Sequence, residues 1–150
     1  MLNLLEELLA AGSAVRLRVT GRSMAPHLRE GDVVTLRRVE SGTIAAGEIL
    51  LIRTDAGQPV LHRVVGRSTG NDGETRLLLK GDALPAADDP IVDSRVIGAV
   101  IGLERDEAGG ARRSIDFSGR GQRARARLLA LASQRVPRLF LAVSLRLARP

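Results

Sequence analysis

Cysteine is missing from this 150-residue chain, which excludes disulfides, a thiolate nucleophile and any cysteine-ligated zinc site. Histidine occurs twice, as His27 and His62. That is too few for a histidine-rich metal centre, and neither a metal nor another cofactor is expected. Trp and Tyr are absent and Phe occurs twice, so the stacking platforms used by single-strand nucleic-acid binders are lacking. No apolar run reaches the ~18 residues that a membrane-spanning helix needs. Residues 1–11 contain Glu6 and Glu7 with no basic leading region, unlike a secretory signal. The expected setting is cytoplasmic or peripherally membrane-associated.

Charge is present in quantity and is unevenly placed. Residues 1–111 carry 13 basic and 16 acidic side chains, whereas residues 112–150 carry ten Arg against Asp116 alone. A mildly acidic body is therefore joined to a strongly basic tail. Such a block points to an anionic surface, membrane or nucleic acid, or else to a solvated basic face. With so few aromatics, a membrane surface is the better candidate partner and nucleic acid is not expected.

The length suits one domain with a real core and an appendage. Residues 2–11 read as a short helix, with Leu4, Leu5 and Leu8 able to share a face and Gly12 as a stop. Residues 14–20 switch to period two, with Val15, Leu17 and Val19 on one side and Arg16, Arg18 and Thr20 on the other. Further strands are expected at 33–38, 49–52, 60–65, 77–80 and 96–103, with turns at Gly31-Asp32, Gly47-Glu48, Asp55–Gln58 and Gly70–Gly73. Many short strands between turns predict an all-β, barrel-like body over about residues 13–105. The domain boundary falls near residue 106. Gly109-Gly110 marks a hinge or hairpin, 112–117 offers a last strand, and the pattern from Arg120 onward is helical and rich in Arg and Leu. That tail could lie on a membrane, dock on a partner or pack on its own barrel.

Chemistry concentrates at three places. Ser23 sits in the turn Gly21-Arg22-Ser23-Met24-Ala25-Pro26. His62 lies in Val60-Leu61-His62-Arg63-Val64-Val65, where Val60, His62 and Val64 share one strand face. An acidic stretch follows from Lys80-Gly81-Asp82 to Asp88-Asp89. A serine hydroxyl needs a base within hydrogen-bond reach, imidazole can serve near neutrality, and a carboxylate holds its tautomer. The three places together predict a serine peptidase. His27, four positions from Ser23, is read as a surface or rim residue.

These segments also carry a resemblance. Gly-Arg-Ser-Met-Ala-Pro resembles the nucleophile box of type I signal peptidases and the related self-cleaving repressors, the S24/S26 peptidase superfamily. Leu28–Val34, Leu61–Val65 and Leu79-Lys80-Gly81-Asp82 are similar to the boxes that follow, in the same order over residues 21–89. The resemblance implies a signal-peptidase or SOS-repressor-like coiled β-barrel core, here with a short N-terminal helix and a basic helical C-terminal tail. It implies an endopeptidase acting on a peptide or protein precursor. His62 stands where common bacterial members have a lysine base, as in the archaeal and endoplasmic-reticulum type. The only lysine, Lys80, falls in the Lys-Gly-Asp box instead.

By resemblance Asp88 is the triad acid and Asp82 a supporting acid, with Asp89 one residue away from Asp88. Met24 is expected to pack near the substrate groove. The Ser23 N–H is the first oxyanion donor, and Gly21 replaces a hydroxyl that some members place two residues before the nucleophile. The other reading is a catalytically degenerate peptide-binding or regulatory domain on the same fold, acting through its basic tail.

Overall fold

A computed structural model of the chain describes residues 2–117. The expected tail helices lie outside the described residues. Helix α1 (Leu2–Ala10) is followed by β1 (Val15–Arg18), β2 (Val33–Arg37), β3 (Ile49–Arg53), β4 (Pro59–Thr69), β5 (Thr75–Lys80), β6 (Ile91–Val92), β7 (Val96–Asp106) and β8 (Arg112–Asp116). Short 3-10 turns occupy Ser41–Thr43 and Asp93–Arg95. The chain is thus mainly β, with one antiparallel sheet of eight strands and a short N-terminal helix. Gly12 ends α1 as expected, with Gly12 N–H donating to Leu9 O (3.0 Å) and Ser13 N–H to Leu8 O (3.0 Å).

The strand order is β1-β2-β7-β3-β4-β5-β6, with β8 also on β7. The 11-residue β7 joins two halves. Its first part pairs with β3 (Leu50↔Ala99), its middle with β2 (Leu36↔Val100), and its end with β8 (Leu103↔Ile115). The expected barrel is not closed: the path runs out at β1 and at the two-residue β6, which are not paired with each other. Residues 19–32 and 81–90, which flank those ends, carry Gly21, Pro26, Gly31, Pro85 and Pro90. Proline cannot donate to a ladder, so these segments turn instead of extending the sheet.

Two cores form because β3 buries both of its faces. Ile49 and Leu51 join Leu9, Met24, Leu28, Val34, Leu36, Val100 and Leu103 in the larger cluster. Leu50 and Ile52 join Ile44, Val64, Leu77, Leu79 and Ala99 in the other. A strand covered on both faces reads as an unbroken apolar run, which is what Ile-Leu-Leu-Ile is. Helix α1 seats on the sheet through Leu9, at a place where a Cβ on Gly98 would stand 3.1 Å from the leucine and 3.0 Å from the Arg37 carbonyl.

Strand β8 carries the sheet past residue 106, and Ile115 and Phe117 pack against the larger core. A chain ending after Phe117 is therefore expected to unfold cooperatively. One ending after Asp106 loses these two half-buried side chains and should be less stable by about 2–4 kcal/mol, taking part of the ~1.5–3 kcal/mol of each full burial. Urea denaturation of the two chains checks this, and equal midpoints would count against it.

Candidate active site

Between β1 and β2 the chain forms a strandless turn closed at its neck. Val19 N–H donates to Asp32 O (2.7 Å) and Gly31 N–H to Val19 O (3.0 Å). Inside it, Ala25 N–H donates to Arg22 O (3.1 Å) and Leu28 N–H to Met24 O (3.0 Å), and the Ala25–Pro26 peptide is cis. Met24 and Leu28 point into the larger core at 2% and 0% exposure. Met24 thus anchors the turn in the core. Ser23 beside it is half-buried.

Two arginine–carboxylate clasps hold this turn. At its neck, Arg105 of β7 donates Nε to Asp32 Oδ1 (2.8 Å) and Nη2 to Asp32 Oδ2 (2.6 Å). The same Nη2 reaches His27 O at 2.9 Å, and Arg29 N–H donates to Asp32 Oδ2 at 2.7 Å. On the far side, Arg63 of β4 donates Nε to Asp82 Oδ1 (2.8 Å), Nη2 to Asp82 Oδ2 (2.6 Å) and Nη1 to Gly47 O (2.8 Å). His27 Nδ1 lies 3.0 Å from Asp82 Oδ2. The imidazole and the carboxylate are thus adjacent, within ion-pair range, without a well-aligned hydrogen bond between them. His27 is therefore no free rim residue: its backbone meets one clasp and its ring the other.

The segment after β5 runs against the backbone of Ser23 before it reaches His62. Ala83 N–H donates to Ser23 O at 2.8 Å. A Cβ on Gly81 would stand 2.8 Å from that same Ser23 oxygen and 2.9 Å from Leu84 Cδ1, so only glycine permits the approach. Further on, Asp88 N–H donates to Leu79 O (2.8 Å), which returns the loop to β5. The Asp88 carboxylate Oδ2 meets His62 Nδ1 there.

His62 lies on β4 opposite Leu50 and is buried, at 7% exposure. Asp89 is exposed, and Lys80, buried on β5, lies opposite Arg63. A carboxylate on Nδ1 favours the tautomer whose Nε2 can accept a proton. A separate cavity of about 510 Å³, bounded by α1, Arg38, Arg53 and residues 93–97, contains none of Ser23, His62 or Asp88.

The clasps set the charges. Burial alone would raise the Asp82 pKa, but the Arg63 hydrogen bonds and the adjacent His27 outweigh it and hold the carboxyl below its ordinary value. Asp32 follows the same pattern: burial raises it, and Arg105 together with the Arg29 N–H brings it lower than an ordinary carboxylate.

The model of the family described as Peptidase S24-like matches residues 1–100 of the chain. The chain belongs to that family. It includes serine peptidases, and its membership covers the segments that carry Ser23, His62, Asp82 and Asp88. None of the curated proteins compared with the chain matches it. Among the described residues, no helix of this S24-like protein is long and apolar enough to cross a membrane.

Strand periodicity missed the clasps. Alternation from Val60 puts Arg63 on the face opposite His62, where an outward-pointing arginine is expected, yet it is 4% exposed. The available signal was an arginine within an apolar strand run, which requires a buried carboxylate.

Removing one partner of a buried pair strands the other, so Asp82→Ala is expected to lose about 3–5 kcal/mol of stability, read from denaturant midpoints. Both clasped aspartates have lowered folded-state pKa values. Their contribution is complete above the unfolded carboxylate value of ~3.9 and is lost as pH falls through the lower folded values. Thermal melts should show stability falling with acid below about pH 4. Asp82→Asn should be less stable above about pH 4 and approach wild type in acid, giving a shallower acid slope. An unchanged slope would place the acid sensitivity elsewhere.

Proposed function

We propose that this protein is a serine endopeptidase that cuts a peptide or protein precursor, signal-peptidase-like with a histidine base. Ser23 is its nucleophile, His62 the general base, Asp88 the carboxylate that orients the base, and Asp82 a supporting acid. The observation that carries this reading is the buried His62 ring meeting Asp88 through Nδ1. Nε2 then accepts the Ser23 proton as Oγ attacks the scissile carbonyl carbon. The imidazolium beside Asp88 returns that proton to the departing amine as the C–N bond breaks. Water attacks the acyl-enzyme next, giving a proton to His62, and the Ser23 ester bond breaks with the proton restored to Oγ.

Charge on the carbonyl oxygen needs preorganised donors. The Ser23 N–H, which meets no acceptor among the described residues, supports such a role. Gly21 contributes no hydroxyl, so in this reading the oxyanion depends on backbone donors. Asp82 supports the site at one remove, by holding Arg63 next to His62 and the His27 ring over the turn.

The test compares protein N-termini in cells carrying wild type or Ser23→Ala at matched abundance, then repeats the cuts with purified protein. Wild-type-specific termini are expected, with cutting abolished in Ser23→Ala and His62→Ala. Asp88→Asn should slow it by about two to four orders of magnitude. Identical termini from folded Ser23→Ala and wild type would refute the peptidase reading and leave a peptide-binding domain on this fold.

A further inference from the structure

Of the large apolar side chains that stand exposed among the described residues, two are Leu4 (59%) and Leu8 (41%), one turn apart on α1. Glu7 lies beside them, exposed and without a partner among the described residues, whereas Glu6 is held by Arg53 at 2.5 Å. The helix carries no basic residue. Residues at i, i+3 and i+4 share a helix face, so Leu4, Glu7 and Leu8 form one apolar and acidic strip that no described segment covers.

The chain beyond Phe117 has the complementary composition. Residues 118–150 contain eight Arg and no acid, with leucines at 128, 129, 131, 139, 141, 145 and 147. Residues 2–117, by contrast, carry 15 basic and 17 acidic side chains. We infer that this C-terminal segment docks in cis on the Leu4–Glu7–Leu8 face of α1. The leucines meet the exposed leucines, and arginines meet Glu7.

Reach permits it. Phe117 packs against the same core that Leu2, Leu5 and Leu9 of α1 enter. The fourteen residues from Phe117 to Leu131 span up to about 46 Å when extended, more than the ~35 Å diameter of a sphere with the ~13 Å radius of gyration of a domain this size. Tethering also favours it over a second copy, because a linked segment meets its target at about millimolar effective concentration.

The absence of cysteine makes the test clean: in the 150-residue chain, two introduced cysteines are the only thiols. Leu8→Cys with Leu131→Cys is compared with Ala56→Cys and the same tail cysteine, Ala56 being exposed on the β3–β4 turn. Under mild oxidation the Leu8→Cys pair should form an intrachain disulfide about ten-fold faster or more, in line with a raised effective concentration. The rate should not depend on protein concentration, and Glu7→Arg should slow it. Equal rates for the two pairs would overturn the proposal. So would crosslinks only between chains, which would indicate a second copy. An advantage seen only with vesicles of phosphatidylcholine and phosphatidylglycerol would also overturn it, in favour of a lipid surface.

Discussion

The Arg63–Asp82 clasp is the interaction on which the rest of the site depends. Both side chains are nearly inaccessible, at 5% and 8% exposure, and two charges withdrawn from water are tolerated only when each finds the other in good geometry. The bidentate pairing and the third bond to Gly47 meet that condition. Arg63 follows His62 directly on β4, so fixing the arginine fixes the rotation of the strand about the imidazole. Asp82 follows Gly81, the residue that lets the Ser23 carbonyl approach. One ion pair thus ties the strand that carries His62 to the turn that carries Ser23.

The second clasp serves the turn from the other side. Arg105 reaches from β7 to Asp32 and to the His27 carbonyl, while Met24 and Leu28 drive the apolar side of the turn into the core. The turn that carries Ser23 is therefore held both by charge and by apolar packing. Asp88 is held more lightly, by one backbone bond to Leu79 and by its contact with His62, and its side chain keeps 29% exposure.

Much of this was legible in the sequence where a residue's neighbours decide its environment. Ile49–Ile52 reads as a strand because four apolar residues fit a doubly covered position, and Val15–Arg18 because alternation matches a half-buried edge. The serine, histidine and aspartate segments were visible as local patterns, and the family match covers the stretch where they occur. Closure of the barrel was not legible, since it depends on whether distant edges meet. The partners of Asp82 and Asp32 were also hidden, because an arginine 19 or 73 residues away carries no local mark of its target. The burial of Met24 was hidden for a similar reason: a residue beside Ser23 can face outward or into the core, and the local pattern is the same.

The stretch from Gly81 to Asp88 acts as a ruler. Ala83 is bonded to the serine's own carbonyl, and Asp88 is bonded to Leu79 and touches the histidine. The separation of Ser23 and Asp88 is thus set by the number of residues between these two attachment points. The Gly70–Gly73 turn has no such duty, since it closes only upon itself through Gly70 and Glu74. Inserted or deleted residues are therefore absorbed at the β4–β5 turn, whereas between Ala83 and Asp88 a change of even one residue alters the spacing of the site.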